Sequence, residues 1–151
     1  SVFLLPSCKK SSSSPAPASS IPANGWKLGT TAYATALSSR ITSINELSAF
    51  DGIPSGSSPS VNTFNVYFSA LPTTGGTYHI VQYPATLAAN EIGVSAAIFA
   101  TSSDYLSTGS DGIDAAVTVT GGKITVVVPS VRVKNTTAGA SLQLTGTLVE
   151  Q

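Results

Sequence analysis

The chain is poor in the residues on which most protein chemistry depends. Its 151 residues hold one cysteine, one histidine, one tryptophan and no methionine. A single thiol cannot close an intrachain disulfide, so stability has to come from packing and from paired backbone. One histidine and one cysteine cannot assemble a conventional zinc site. Charged side chains make up 9% of the chain, against about 25% in an ordinary soluble domain. Seven basic residues balance seven acidic ones. Nucleic acid needs a concentrated basic footprint, so no nucleic-acid partner is expected. No window approaches the roughly 20 apolar residues that a membrane-spanning helix requires.

The same scarcity argues against catalysis. A Ser–His–acid arrangement would have to use His79, which sits mid-strand between Tyr78 and Ile80 and reads as a strand-face residue. The nucleophile elbow Gly-x-Ser-x-Gly is missing, because Gly52-Ile53-Pro54-Ser55-Gly56 has the wrong spacing. Paired-carboxylate glycosidase chemistry needs two acids facing each other across about 5–10 Å. The acids here fall mostly in turns. No residue is nominated as catalytic, and the protein is expected not to be an enzyme.

Serine, threonine, alanine and glycine fill the places that charges usually take. Such a surface is wet but electrically quiet, and low net charge removes a brake on self-association. From Trp26 onward the pattern is one of strands and turns. Trp26 to Ala36 can pair, and Asp51 to Ser60, with Gly52, Pro54, Gly56 and Pro59, is a loop. Ser39 to Leu47 carries Ile41, Ile44 and Leu47 at a spacing that suits a short helix, while its β-branched content suits a strand equally well. Asn62 to Ala70 alternates, with Phe64, Val66 and Phe68 on one face. Leu71 to Gly76 predicts a turn, and Thr77 to Tyr83 the returning strand. Glu91 to Thr101 is apolar, with a phase slip at Phe99 that suggests a bulge. Ser102 to Gly112 reads as a polar loop. Ile113 to Thr120 and Lys123 to Val128 flank Gly121-Gly122, whose glycines supply the positive φ angles of a tight hairpin turn. Val131 to Lys134 and Ala140 to Val149 close the chain. The fold class expected is all-β, an antiparallel β-sandwich of about 7–9 strands, with a β-barrel as the alternative.

The one cysteine has a distinctive setting. Cys8 ends the apolar run Val2-Phe3-Leu4-Leu5-Pro6-Ser7 and precedes Lys9-Lys10-Ser11-Ser12-Ser13-Ser14. Leu5-Pro6-Ser7-Cys8 resembles the lipobox of bacterial lipoproteins, with a leucine at its start and a small residue just before the cysteine. The resemblance implies cleavage after Ser7, a diacylglyceryl thioether on Cys8 and an acylated new N-terminus. Residues 1–7 would be a signal-peptide remnant, residues 8–25 a lipid-anchored Ser/Pro-rich tether, and residues 26–151 the β-sandwich domain. Each buried methylene of such a lipid contributes about 0.8 kcal/mol, and two or more chains give stable attachment. Lys9 stands where an aspartate would imply inner-membrane retention, so the likeness points to the outer membrane or cell surface. A stray free cysteine in a disordered tail is the bland alternative. The sequence Ser7-Cys8-Lys9-Lys10, together with Leu71-Pro72, Gly121-Gly122-Lys123-Ile124-Thr125-Val126 and Leu144-Thr145-Gly146-Thr147-Leu148, is similar to small β-sandwich lipoproteins of the Bacteroidota. That likeness implies no active residues.

Two sets of side chains merit weighing as ligand sites. Asp104, Asp111 and Asp114 cluster in a Ser/Gly-rich stretch, and calcium takes six to eight oxygens. Aspartates in such stretches more often form Asx turns. Trp26, Tyr67 and Tyr83 can stack on sugar rings, although strand aromatics usually serve packing. Three functional expectations follow. The first is a lipid-anchored, non-enzymatic envelope protein that contacts the membrane through its lipid and works with other envelope proteins. The second is a self-assembling fibre subunit that exchanges a strand through its N-terminal segment. The third is a carbohydrate- or calcium-binding module. No cofactor is expected beyond the lipid on Cys8.

Overall fold

The computed structural model describes residues 23–56 and 60–151. Cys8, the lipobox-like segment and the tether through Pro22 lie outside the described residues. The first strand begins at Gly25, one residue before the expected boundary.

Eleven strands follow: β1 (Gly25–Leu28), β2 (Thr31–Ala34), β3 (Leu37–Ile41), β4 (Glu46–Phe50), β5 (Thr63–Phe68), β6 (Gly76–Ile80), β7 (Glu91–Ile98), β8 (Ser103–Ser107), β9 (Asp114–Thr120), β10 (Lys123–Asn135) and β11 (Ser141–Val149). They form one sheet in the order β2-β1-β11-β10-β9-β6-β7-β5-β4-β3, and β8 spans from β7 to β10 off that path. Every pairing is antiparallel except β6 with β7. The path ends in β2 and β3 without joining them, so the sheet as a whole stays open, while β8 closes the circuit β7-β8-β10-β9-β6 within it. Among the described residues no helix is long and apolar enough to cross a membrane.

The core lies between the two halves of this sheet. Trp26, Val126, Val128, Leu144 and Leu148 from β1, β10 and β11 are fully buried, as are Leu47, Phe64, Val66, Ile92 and Val94 from β4, β5 and β7. Each such side chain contributes about 1.5–3 kcal/mol by leaving water. The halves meet where the Trp26 and Phe64 rings lie 6.0 Å apart. Gly146 makes that approach geometrically feasible. A Cβ there would stand 2.7 Å from the Trp26 Cβ and 3.0 Å from the Phe64 Cε1. At the rim, the Arg40 guanidinium of β3 donates to both carboxylate oxygens of Glu150 and to the Gly122 carbonyl. Glu150 also accepts the Ile124 backbone N–H, so β3 is clasped to the end of β11 and to the β9–β10 turn.

The local grammar explains most of the elements. Gly121 and Gly122, at φ of 58° and 76°, form the two-glycine turn expected of a type I′ hairpin. Val119 faces Ile124 and Val117 faces Val126 across it. Ser39–Leu47 resolves into two strands about a short 3₁₀ turn (Thr42–Ile44), ended by Asn45 in the left-handed region. In β10 the register with β11 slips between Val128 and Val131. Pro129 has no N–H to give the ladder there, and the added residue makes a bulge. Buried positions accordingly change from Ile124, Val126 and Val128 to Val131 and Val133. On its other edge β10 passes from β9 to β8 across the same point.

Three sequence expectations are corrected. The strand after Pro72 does not return along β5; β7 takes that place, pairing from Thr63↔Ala97 to Phe68↔Ile92. β6 instead lies between β7 and β9. The inner-facing Ile92, Val94 and Ala96 match the apolar face of β5, and that match outweighs the proximity of a hairpin partner. Phe99 marks no bulge: a 3₁₀ turn (Phe99–Thr101) ends β7 there and leaves Phe99 exposed. The polar stretch after Ser102 is partly a strand, because β8 is paired along both edges, by β7 and by β10. Tertiary pairing overrides weak intrinsic preference.

Candidate functional site

The outward face of β4, β5 and β7 presents two cross-strand rows. Glu46, Tyr67 and Gly93 form one, and Ser48, Asn65 and Ser95 the other. The second row is buried and internally bonded. Asn65 Nδ2 donates to Ser95 Oγ at 3.1 Å, and the Tyr67 hydroxyl shares a hydrogen with the same Oγ at 3.1 Å. Ser48 donates to Glu46 Oε1 at 2.6 Å.

Gly93 leaves a gap beside Tyr67, and Tyr83 fills it. A Cβ at Gly93 would lie 2.7 Å from Tyr83 Cγ and 2.8 Å from Tyr83 Cβ, closer than any unstrained contact. Tyr83 therefore lies against bare backbone and stacks on Tyr67, with ring centroids 4.1 Å apart and planes 8° from parallel. The backbone fixes it there. Val81 N–H donates to the Ile92 carbonyl and Tyr83 N–H to the Ser107 carbonyl. Gln82 bridges to Thr108, the Ser107 hydroxyl donates to the Val81 carbonyl, and the Tyr83–Pro84 bond is cis. Burial pushes the Tyr67 phenol up to about 12, more than the Ser95 hydrogen bond lowers it. Burial and the nearby Glu46 raise Tyr83 as well. Both rings stay neutral near pH 7, and the pair acts as a flat, uncharged platform.

Two open clefts meet at this platform. One, of about 530 Å³, is lined by Gln82, Tyr83, Leu106, Ser107, Thr108, Lys134, Asn135 and Thr136. The other, of about 310 Å³, is lined by Tyr67, Tyr83, Phe68, Ser69, Ile44, Ala85, Thr86 and Leu87. Tyr83 belongs to both. No protein-family model, curated protein or solved structure gives a match to this chain.

The expected site residues fare differently. Tyr67 and Tyr83 are brought together. Trp26 is not a stacking platform: it is fully buried in β1 and its ring lies on Tyr33 at 5.2 Å. The reason is the alternation of β1, which turns Trp26 toward Gly146 and the core. Asp104, Asp111 and Asp114 have separate roles. Asp104 is exposed on β8, Asp111 accepts the Arg132 N–H and the Ser110 hydroxyl, and Asp114 pairs with the His79 ring. Among the described residues no three His, Cys, Asp or Glu side chains gather as a metal group. His79 is an exposed strand-face residue, as its neighbours implied; its backbone N–H donates to the Asn90 carbonyl, and among the described residues its ring bonds only to Asp114. Sequence reasoning missed Gly93, Gln82 and Lys134. The one available signal was a lone glycine inside a strand pattern, which marks close approach by another group.

Proposed function

We propose that this chain is a non-enzymatic contact module of a bacterial envelope, held by lipid on Cys8, that meets its partner through the Tyr67–Tyr83 face. The observation that carries the contact reading is the stacked tyrosine pair. A strand position is given up to glycine so that a second ring can lie flat beside the first, and two open clefts flank the result. Aromatic rings that are rigid, neutral and reachable serve recognition better than they serve a core. The lipobox-like Leu5-Pro6-Ser7-Cys8 supports attachment, and the polar residues after it would supply reach. Radiolabelled palmitate fed to the host is expected to enter the full chain, and Cys8→Ala to abolish the label and release the protein from the membrane fraction. An unlabelled wild-type protein overturns the anchor.

A second reading, a self-assembling surface fibre, is favoured by β2. Thr31, Ala32 and Ala34 are exposed and uncharged on a strand that ends the sheet. Charges and prolines normally protect such edges, and neither occurs within β2. Electron microscopy of concentrated protein showing only dispersed monomers refutes this reading.

A further inference from the structure

We infer that the larger cleft at Tyr83 binds a saccharide that carries a carboxylate. The inference rests on the contact reading above but not on the lipid. A sugar ring has an apolar C–H face and a rim of hydroxyls, and the cleft offers a complement to each. Tyr83 supplies a flat aromatic wall and Leu106 of β8 an aliphatic floor. Gln82 and the Thr108 and Thr136 hydroxyls supply hydrogen-bonding groups around them. The volume, about 530 Å³, suits a small ligand rather than a folded partner.

The charge comes from β10. After its bulge the strand buries Val131 and Val133 and turns Arg132 and Lys134 outward. Lys134 lies opposite Leu106 and lines the cleft. Lys134 forms no ion pair among the described residues, whereas Arg132 borders a separate cleft beside Gly29 and Leu142. Lys134 is the one cation in the lining of this cleft, on a chain with so few charges, and an anionic group on the ligand would answer it. The aromatic wall favours a ring over a simple ion, and an acidic sugar joins both features in one molecule.

The test uses full-length protein, trigalacturonic acid as probe and its methyl ester as the uncharged match, with backbone amide shifts read by NMR. The acid is expected to move resonances of Gln82, Leu106 and Lys134, and to weaken as salt is added. The ester, Lys134→Gln and Tyr83→Leu are each expected to lower affinity about tenfold, near 1.4 kcal/mol. Lys27→Gln on β1 should change nothing. Thermal unfolding of each variant checks the fold, and Lys134→Gln, exposed and without an ion pair, tests the charge even if Tyr83→Leu unfolds. No shifts at about 10 mM probe, shifts confined to other residues, or equal affinity for acid and ester each overturn the inference. Palmitate labelling is unaffected by any of these outcomes, so the anchor and the cleft fail separately.

Discussion

Replacing Gly93 with alanine tests the geometry of the platform directly. The added methyl would sit within 2.8 Å of three Tyr83 carbons, where unstrained carbon atoms stay about 3.5–4.0 Å apart. Relief by shifting the strand is costly, because β7 is paired to β5 on one edge and to β6 and β8 on the other. The ring must therefore leave. Its departure forfeits the Tyr67 stack, worth about 0.5–1.5 kcal/mol, and part of its half-buried area. The sum is about 1–3 kcal/mol, in the range of overpacked sites. In a domain of this size each kcal/mol moves the melting temperature by about 3–5 °C. Denaturant unfolding followed by tyrosine fluorescence gives the free energy, and near-ultraviolet circular dichroism reports the stack. The expected variant is destabilised with a weakened tyrosine signal. A Gly93→Ala protein with wild-type stability and an unchanged spectrum refutes the close approach. Gly93→Ser should behave as alanine does, since the obstacle is the Cβ itself.

Other outcomes follow from the same physical reasoning. Glu150 is held below the usual carboxylate range, first by the Arg40 hydrogen bonds. Its stabilising contribution is therefore full above the unfolded value of about 4.3 and is lost as pH falls through the lowered folded value. Glu150→Gln should cost about 1 kcal/mol at pH 7 and flatten the acid limb of a stability–pH curve; an unchanged acid limb counts against the clasp. Gly146→Ala meets the Trp26 Cβ, the Gly25 carbonyl and Phe64 at once, and is expected to cost about 3 kcal/mol or to prevent folding, as read by circular dichroism and soluble yield. A wild-type melting temperature would show that the sheet halves have room to spare there.

Elements that announce themselves locally were readable from sequence. The Gly121-Gly122 turn and the alternation of Phe64, Val66 and Phe68 carry their own signatures, and both appear where expected. β8 was hidden because its strand state comes from neighbours on both edges and not from its own residues. The position of β6 was hidden for a similar reason, since adjacency in sequence favoured a hairpin that the apolar face of β7 displaced. At the candidate site Tyr67 and Tyr83 could be named singly. Their stacking depended on Gly93, a residue with no side chain to attract notice. Trp26 misled because an aromatic near the start of a domain looks accessible until its partner across the sheet is known to be glycine. Lys134 became meaningful only once the bulge in β10 had placed it opposite Leu106.

That bulge gives the molecule a corner. Between Val128 and Val131 the strand spends one residue more than β11 does opposite Gly146 and Leu144. Deleting Ser130 would even the count and still leave Val131 and Val133 pointing inward, so the interior would keep its filling. What would change is the direction of the far end, which now swings from β9 to β8 and carries Lys134 with it. A single surplus residue, contributing nothing to the oil of the interior, thus decides where Lys134 is aimed.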